Sequence, residues 1–155
     1  EGIDPMTSFP TYKKMNPQPP SATLVLMQWA AQQKFKAVLN NHAPGEKLLP
    51  PEICEDDDYE KICGLIDKMT GSNGYLTSRA DKTDGAGNDT DWFYTTGACS
   101  MNMFWGKNNR QTVCFNSVAI EVERNFKALQ IFLKEAVEIE LHPKPLKTIY
   151  FYQAD

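Results

Sequence analysis

The chain is expected to be α+β, with two N-terminal helices packed on an antiparallel sheet of three to five strands and a third helix between the last two strands. Three observations carry that expectation. Apolar residues recur at spacings of three and four in three separate segments, which is the spacing of one helix face. Between the second and third segments the period falls to two, as in a strand with one buried face. Clusters of proline, glycine, asparagine and aspartate separate the periodic segments.

Length and composition set the frame. A chain of 155 residues, 41% of them hydrophobic, fits one domain able to bury roughly 70% of its unfolded surface. Such a domain folds without help from a metal or a disulfide. Glu1-Gly2-Ile3-Asp4-Pro5 ahead of Met6 reads as a tag-like remnant. Pro10, Pro17, Pro19 and Pro20 mark a flexible leader, because proline donates no backbone hydrogen bond and restricts its predecessor. The expected division is therefore 1–20 remnant and leader, 21–155 a single α+β domain.

The first helix is predicted from Ser21, a good N-cap, with Leu24, Met27, Ala31, Phe35 and Val38 on its buried stripe and Pro44-Gly45 ending it. The second begins at Glu55-Asp56-Asp57-Asp58, whose carboxylates suit the positive end of the helix dipole. Tyr59, Ile62, Cys63, Ile66 and Met69 mark its buried face, Lys68 suits its last turn, and Gly71 its C-terminal stop. Residues 71–91 form a polar loop anchored only by Tyr75 and Leu76, long enough to suggest a functional role.

Beyond the loop, Cys99, Met101, Met103 and Trp105 alternate with Ala98, Ser100, Asn102 and Phe104. Gly106-Lys107-Asn108-Asn109 is turn chemistry, so residues 111–122 are expected to return as the second strand of a hairpin. Val118, Ile120 and Val122 would face one way and Glu121 and Glu123 the other, with a bulge at Asn116-Ser117. Asn125 is expected to cap the third helix, whose stripe is Phe126, Leu129, Leu133 and Ala136 or Val137, and residues 146–152 to form a last strand.

Charge narrows the function classes. The net charge of −4, with no basic run longer than Lys13-Lys14, removes the main driving force for nucleic acid or anionic membranes. No run of about 18 apolar residues occurs, and no cationic segment leads into an apolar one after Met6. The expected localisation is cytoplasmic, or secreted if a signal peptide was trimmed. Cys54, Cys63, Cys99 and Cys114 lie mostly at buried-face positions of helices and strands, which favours free buried thiols over disulfides.

Three constellations are candidates for chemistry. Asp81, Asp84, Asn88, Asp89 and Asp91 gather oxygens around Gly85 and Gly87, the material of a calcium loop, though not with EF-hand spacing. Asn88-Asp89-Thr90 is also an N-glycosylation pattern, relevant only to a secreted protein. Cys99 with His142, oriented by Asp91 or Asn102, supplies the residue types of a small cysteine hydrolase or transferase. The close ligand pairs of a zinc site and the glycine patterns of phosphate loops are absent. The third is aromatic: Trp92, Tyr94, Tyr150 and Tyr152 sit in runs expected to be strands, so their rings would reach both sheet faces. The expected function is a non-catalytic binding module. It would engage a protein partner or small molecule through that aromatic face or the 71–91 loop, with no cofactor unless calcium. A homodimer is the other way to cover the second aromatic face.

Overall fold

The computed structural model describes residues 8–11, 19–77, 87–106 and 115–144. Among them the chain is a mixture of helix and sheet. Its elements run α1 (Ser21–Gln33), β1 (Ala37–His42), β2 (Lys47–Leu49), α2 (Asp56–Asn73), β3 (Leu76–Thr77), α3 (Asp89–Thr95), β4 (Cys99–Phe104) and α4 (Phe115–Glu135), with a 3₁₀ turn at Ala136–Glu138. No helix is long and apolar enough to cross a membrane among the described residues.

The sheet is open and mixed, with strand order β1-β4-β2-β3. β4 lies parallel to β1 and antiparallel to β2, while β2 and β3 are parallel to each other. This corrects the antiparallel sheet expected from sequence. β1 and β4 are separated by α2 and α3, which supply the long crossover that parallel neighbours require.

α2 forms as expected. Asp56, Asp57 and Asp58 occupy its first turn, and Tyr59, Ile62, Cys63, Ile66 and Met69 are all buried. It runs one turn past Gly71. The helix ends at Gly74, which takes the left-handed conformation (φ 70°) and donates its N–H to Thr70 O at 2.7 Å. Met101, Met103 and Cys99 of β4 point toward α2 and join its apolar stripe, Leu48, and Ala128 and Phe132 of α4 in the larger core. The smaller core lies across the sheet. There Phe9, Met27, Ala30, Trp92, Phe93 and Ala98 cluster, bringing α1, α3 and residues 8–11 together.

Four expectations fail for identifiable reasons. α1 stops at Gln33, where Lys34 turns left-handed, and residues 37–42 are a strand. Asn40 and Asn41 are poor helix formers, and the register with β4 gives Ala37 to His42 backbone partners that a helix there would forgo. The buried residues of α1 are Thr23, Met27 and Ala30, and Pro20 rather than Ser21 is its N-cap. Residues 8–11 are no loose leader: Phe9 is buried against Trp92 (ring centroids 5.8 Å apart) and its N–H donates to Gly87 O at 2.9 Å.

The other two concern the second half. Trp92, Phe93 and Tyr94 lie on α3, a short helix capped by Asn88, whose Oδ1 accepts from Asp91 N at 2.7 Å. Residues 115–122 are the first two turns of α4, not the return strand of a hairpin, and the third helix begins ten residues before Asn125. Val118 and Val122 share a face in either period, whereas Ile120 falls on the opposite side of the helix, so the alternation of the three does not mark one buried face. The expected strand at 146–152 lies outside the described residues.

Two polar clusters tie α4 and the chain after it to α2. Asn125, fully buried in mid-helix, accepts from Asn73 Nδ2 (2.8 Å) and donates to Tyr75 Oη (2.8 Å) and Glu121 O (2.9 Å). Beside it Arg124 pairs with Glu46, donates to Asn73 O at 2.6 Å and stacks over the Tyr75 ring. At the other end of α2, Asp58 Oδ2 accepts from Tyr94 Oη and from the backbone N–H of His142, both at 2.8 Å.

Candidate functional site

The face of β4 that turns away from the larger core carries Ser100 and Asn102, both buried. Parallel pairing sets Asn40 beside Asn102 and His42 beside Phe104. Both asparagines and the histidine therefore sit in the carboxyl-terminal halves of two adjacent parallel strands, where open α/β sheets commonly place ligands. α3 lies across this face with its first turn over the same residues. Thr90, fully buried, is the hub: Asn40 Nδ2 donates to its Oγ1 at 3.0 Å, and that hydroxyl donates to Asn102 Oδ1 at 2.7 Å. Ser100 Oγ donates to Thr90 O at 2.7 Å, which fixes the helix on the strand.

Asp89 completes the cluster. Its Oδ1 accepts from Thr90 N at 2.8 Å. Burial raises its carboxyl above the usual range, opposed by the Thr90 N–H and by the neighbouring His42. The His42 ring stacks on Phe104 at 4.9 Å, and its Nε2 is buried without a hydrogen-bond partner among the described residues. A buried ring nitrogen of this kind is costly unless something pairs with it. Two amides and a carboxyl thus converge on the Thr90 hydroxyl, with the His42 imidazole near the same carboxyl, a set able to donate to and accept from a small polar molecule.

The residues singled out from sequence are dispersed. Asp81, Asp84, Tyr150 and Tyr152 lie outside the described residues. Asn88 caps α3, Asp89 faces Thr90 and Asp91 Oδ1 accepts from Glu52 N at 2.7 Å, so these three serve different partners. Among the described residues no group of three or more His, Cys, Asp or Glu side chains is placed to hold a metal ion. Trp92 and Tyr94, expected on a strand surface, are 2% and 0% exposed. Cys54, Cys63 and Cys99 are buried thiols outside any disulfide, while Cys114 is outside the described residues. Burial pushes the Cys99 thiol up to about 12. His142 is exposed and contributes its backbone N–H to Asp58, so no hydrogen bond joins it to Cys99 among the described residues.

The sequence patterns single out neither Asn40 nor His42, and Thr90 only as the last residue of a glycosylation pattern. A signal was present in β4 itself: Ser100 and Asn102 occupy its second face, where solvent was the obvious reading. Asn88-Asp89-Thr90-Asp91 likewise carried an N-cap with acids in the first turn, beneath its readings as calcium ligands and glycosylation site. Compared with models of known protein families and with curated proteins, the sequence matches none.

Asp91 gives this region a pH dependence. It is fully buried, and burial, with the charge of Glu52 adding, raises its pKa from 3.8 to about 6 against the opposing N–H of Glu52. Between those values the folded chain keeps a proton that the unfolded chain has released. The Asp91 contribution is therefore fully present below about pH 4 and is lost as pH rises through about 6, amounting to about 2–3 kcal/mol. Thermal unfolding of Asp91→Asn and wild type between these pH values is expected to show the difference in Tm moving in favour of the variant as pH rises. Parallel curves would remove the buried-acid assignment.

Proposed function

We propose that the protein is a non-catalytic binding module for a small polar molecule, taken up at the carboxyl ends of β1 and β4 beside the first turn of α3. The observation that supports it most is the buried Thr90 hub with His42 Nε2 unpartnered beside it. Asn40 uses its amide nitrogen, and Asn102 its amide oxygen, on Thr90. The opposite polar atom of each amide is then available to a ligand that also meets His42 and Asp89. Rings flank this position, with Phe104 stacked on His42, so part of a ligand's surface can be apolar.

The test is a thermal-shift series with amino acids, dicarboxylates, nucleosides and hexoses as probes, on wild type and Asn40→Ala. Binding at about 100 times Kd adds about 2.7 kcal/mol of stability, a shift of several degrees for a domain of this size. One probe class is expected to shift wild type and to lose most of that shift in the variant. Silence across all four classes, or an equal shift in Asn40→Ala, would overturn the reading.

A further inference from the structure

α4 and the 3₁₀ turn that follows it leave one apolar face exposed. Asn125, Ala128, Phe132 and Ala136 face inward, whereas Val118, Val122, Phe126, Leu133 and Val137 are 47%, 53%, 58%, 71% and 45% exposed. With Leu129 partly exposed among them, these residues recur at steps of four, four, three, four and four, one continuous stripe. At 1.5 Å per residue the stripe is about 30 Å long and presents on the order of 500 Å² of apolar surface.

We propose that this stripe is the contact surface of a homodimer in which two α4 helices pack antiparallel about a two-fold axis between Lys127 and Ala128. The spacing of the stripe is symmetric about that point. An antiparallel partner in this register sets Val118 of one copy opposite Val137 of the other, Val122 opposite Leu133, and Phe126 opposite Leu129. Every stripe residue then meets another, as an isologous interface requires. The flanks agree. Glu123 and Lys134 border the stripe on its outward side, about 20° apart around the helix, and the same axis brings Glu123 of each copy within about two residues, or 3 Å of rise, of Lys134 of the other.

The surroundings leave the stripe open on that side. Arg124 and Glu135, which bond to Asn73 O and Lys68, face α2, roughly on the opposite side of the helix. After the 3₁₀ turn the chain runs back along α2: Lys61 donates to Glu140 O at 2.7 Å, His142 N–H to Asp58, and Lys144 pairs with Glu55 at 2.9 Å. About 1,000 Å² in total is the lower bound for a specific interface, so the dimer is a reversible one. The ligand cluster lies on the other face of the sheet, and the two proposals stand or fall separately.

Sedimentation velocity of the full chain over a hundredfold concentration range is expected to show monomer passing to dimer. Leu133→Glu, at the most exposed stripe position, is expected to weaken association at least tenfold with thermal unfolding of the monomer unchanged. Glu123→Lys is expected to weaken it too, and Glu123→Lys with Lys134→Glu to restore it, which reads the antiparallel register directly. A wild-type chain that stays monomeric throughout would overturn the proposal, meaning that other residues of the chain or a different partner cover the stripe. A dimer indifferent to Leu133→Glu, or a double charge swap that does not restore association, would overturn it as well.

Discussion

Ile66→Ala is expected to lower the stability of the fold by about 4 kcal/mol, read as a fall in the urea midpoint with the slope unchanged. Ile66 is fully buried on α2 in the larger core, one turn from Ile62, which is also fully buried. Both faces of its surroundings are fixed, by the sheet through Met101 and Met103 and by α4 through Ala128 and Phe132. Close packing of that kind relaxes little around a deleted side chain, so the cavity adds to the lost transfer energy. Ile66→Val, which removes one methylene, is expected to lose about 1 kcal/mol. A loss below about 1 kcal/mol for the alanine variant would mean that α2 does not pack on the sheet through this face.

Asp58→Ala is expected to lose about 3 kcal/mol, nearly as much, although it removes no apolar surface. Asp58 is 1% exposed, and its Oδ2 receives both the Tyr94 hydroxyl and the His142 backbone N–H. Truncation leaves the buried Tyr94 hydroxyl without its acceptor, at about 1–3 kcal/mol, and the part-buried His142 N–H without its own, at a smaller further cost. Lys61, whose Nζ lies 3.5 Å from Oδ1, is 42% exposed, so solvent screens that pair and its loss adds little. Asp58→Asn keeps an acceptor and is expected to lose less than half as much. Hydrogen exchange separates this account from general destabilisation: the His142 amide is expected to lose protection in Asp58→Ala well before the α2 core amides do. Equal protection of the two in the variant would show that Asp58 does not hold residues 139–144 on α2.

The same carboxylate explains why α3 is placed so firmly. Tyr94 reaches from α3 to Asp58 and accepts from Glu55 N at 3.2 Å, while Asp91 on the same helix holds Glu52 N. The loop preceding α2 is thus tied to α3 by two side chains about one turn apart. With Ser100 fastening the helix to β4, its first turn is set over Asn40 and Asn102, and the ligand cluster inherits its geometry from these bonds.

How much was legible beforehand depended on whether the deciding interaction was local. The start and buried face of α2 could be read because their cues agreed, acids in the first turn and an unbroken stripe of period 3.6, whereas the expected stop at Gly71 and Lys68 in the last turn did not hold, since the helix continues to Asn73. β4 could be read because alternation persists over six residues. Its two-sided burial could not, since nothing in Ser100 or Asn102 distinguishes a face that meets water from one that meets Thr90. Residues 115–122 were misread because β-branched Val118, Ile120 and Val122 favour a strand, while the packing of Asn125, Ala128 and Phe132 carries the helix back through them.

By itself, then, the sequence determined the mixed helix and sheet content, the start and buried face of α2, the strand at 99–104 and the burial of Cys63 and Cys99. Each rests on a pattern complete within one segment. The tertiary structure alone decided the parallel pairing of β1 with β4, the start of α4 and the meeting of Asn40, His42, Asp89, Thr90 and Asn102. Those residues are brought together by backbone pairing across more than fifty positions, and a pairing of that range is chosen by the joint burial of both strands and the helices that cover them, which no local pattern encodes.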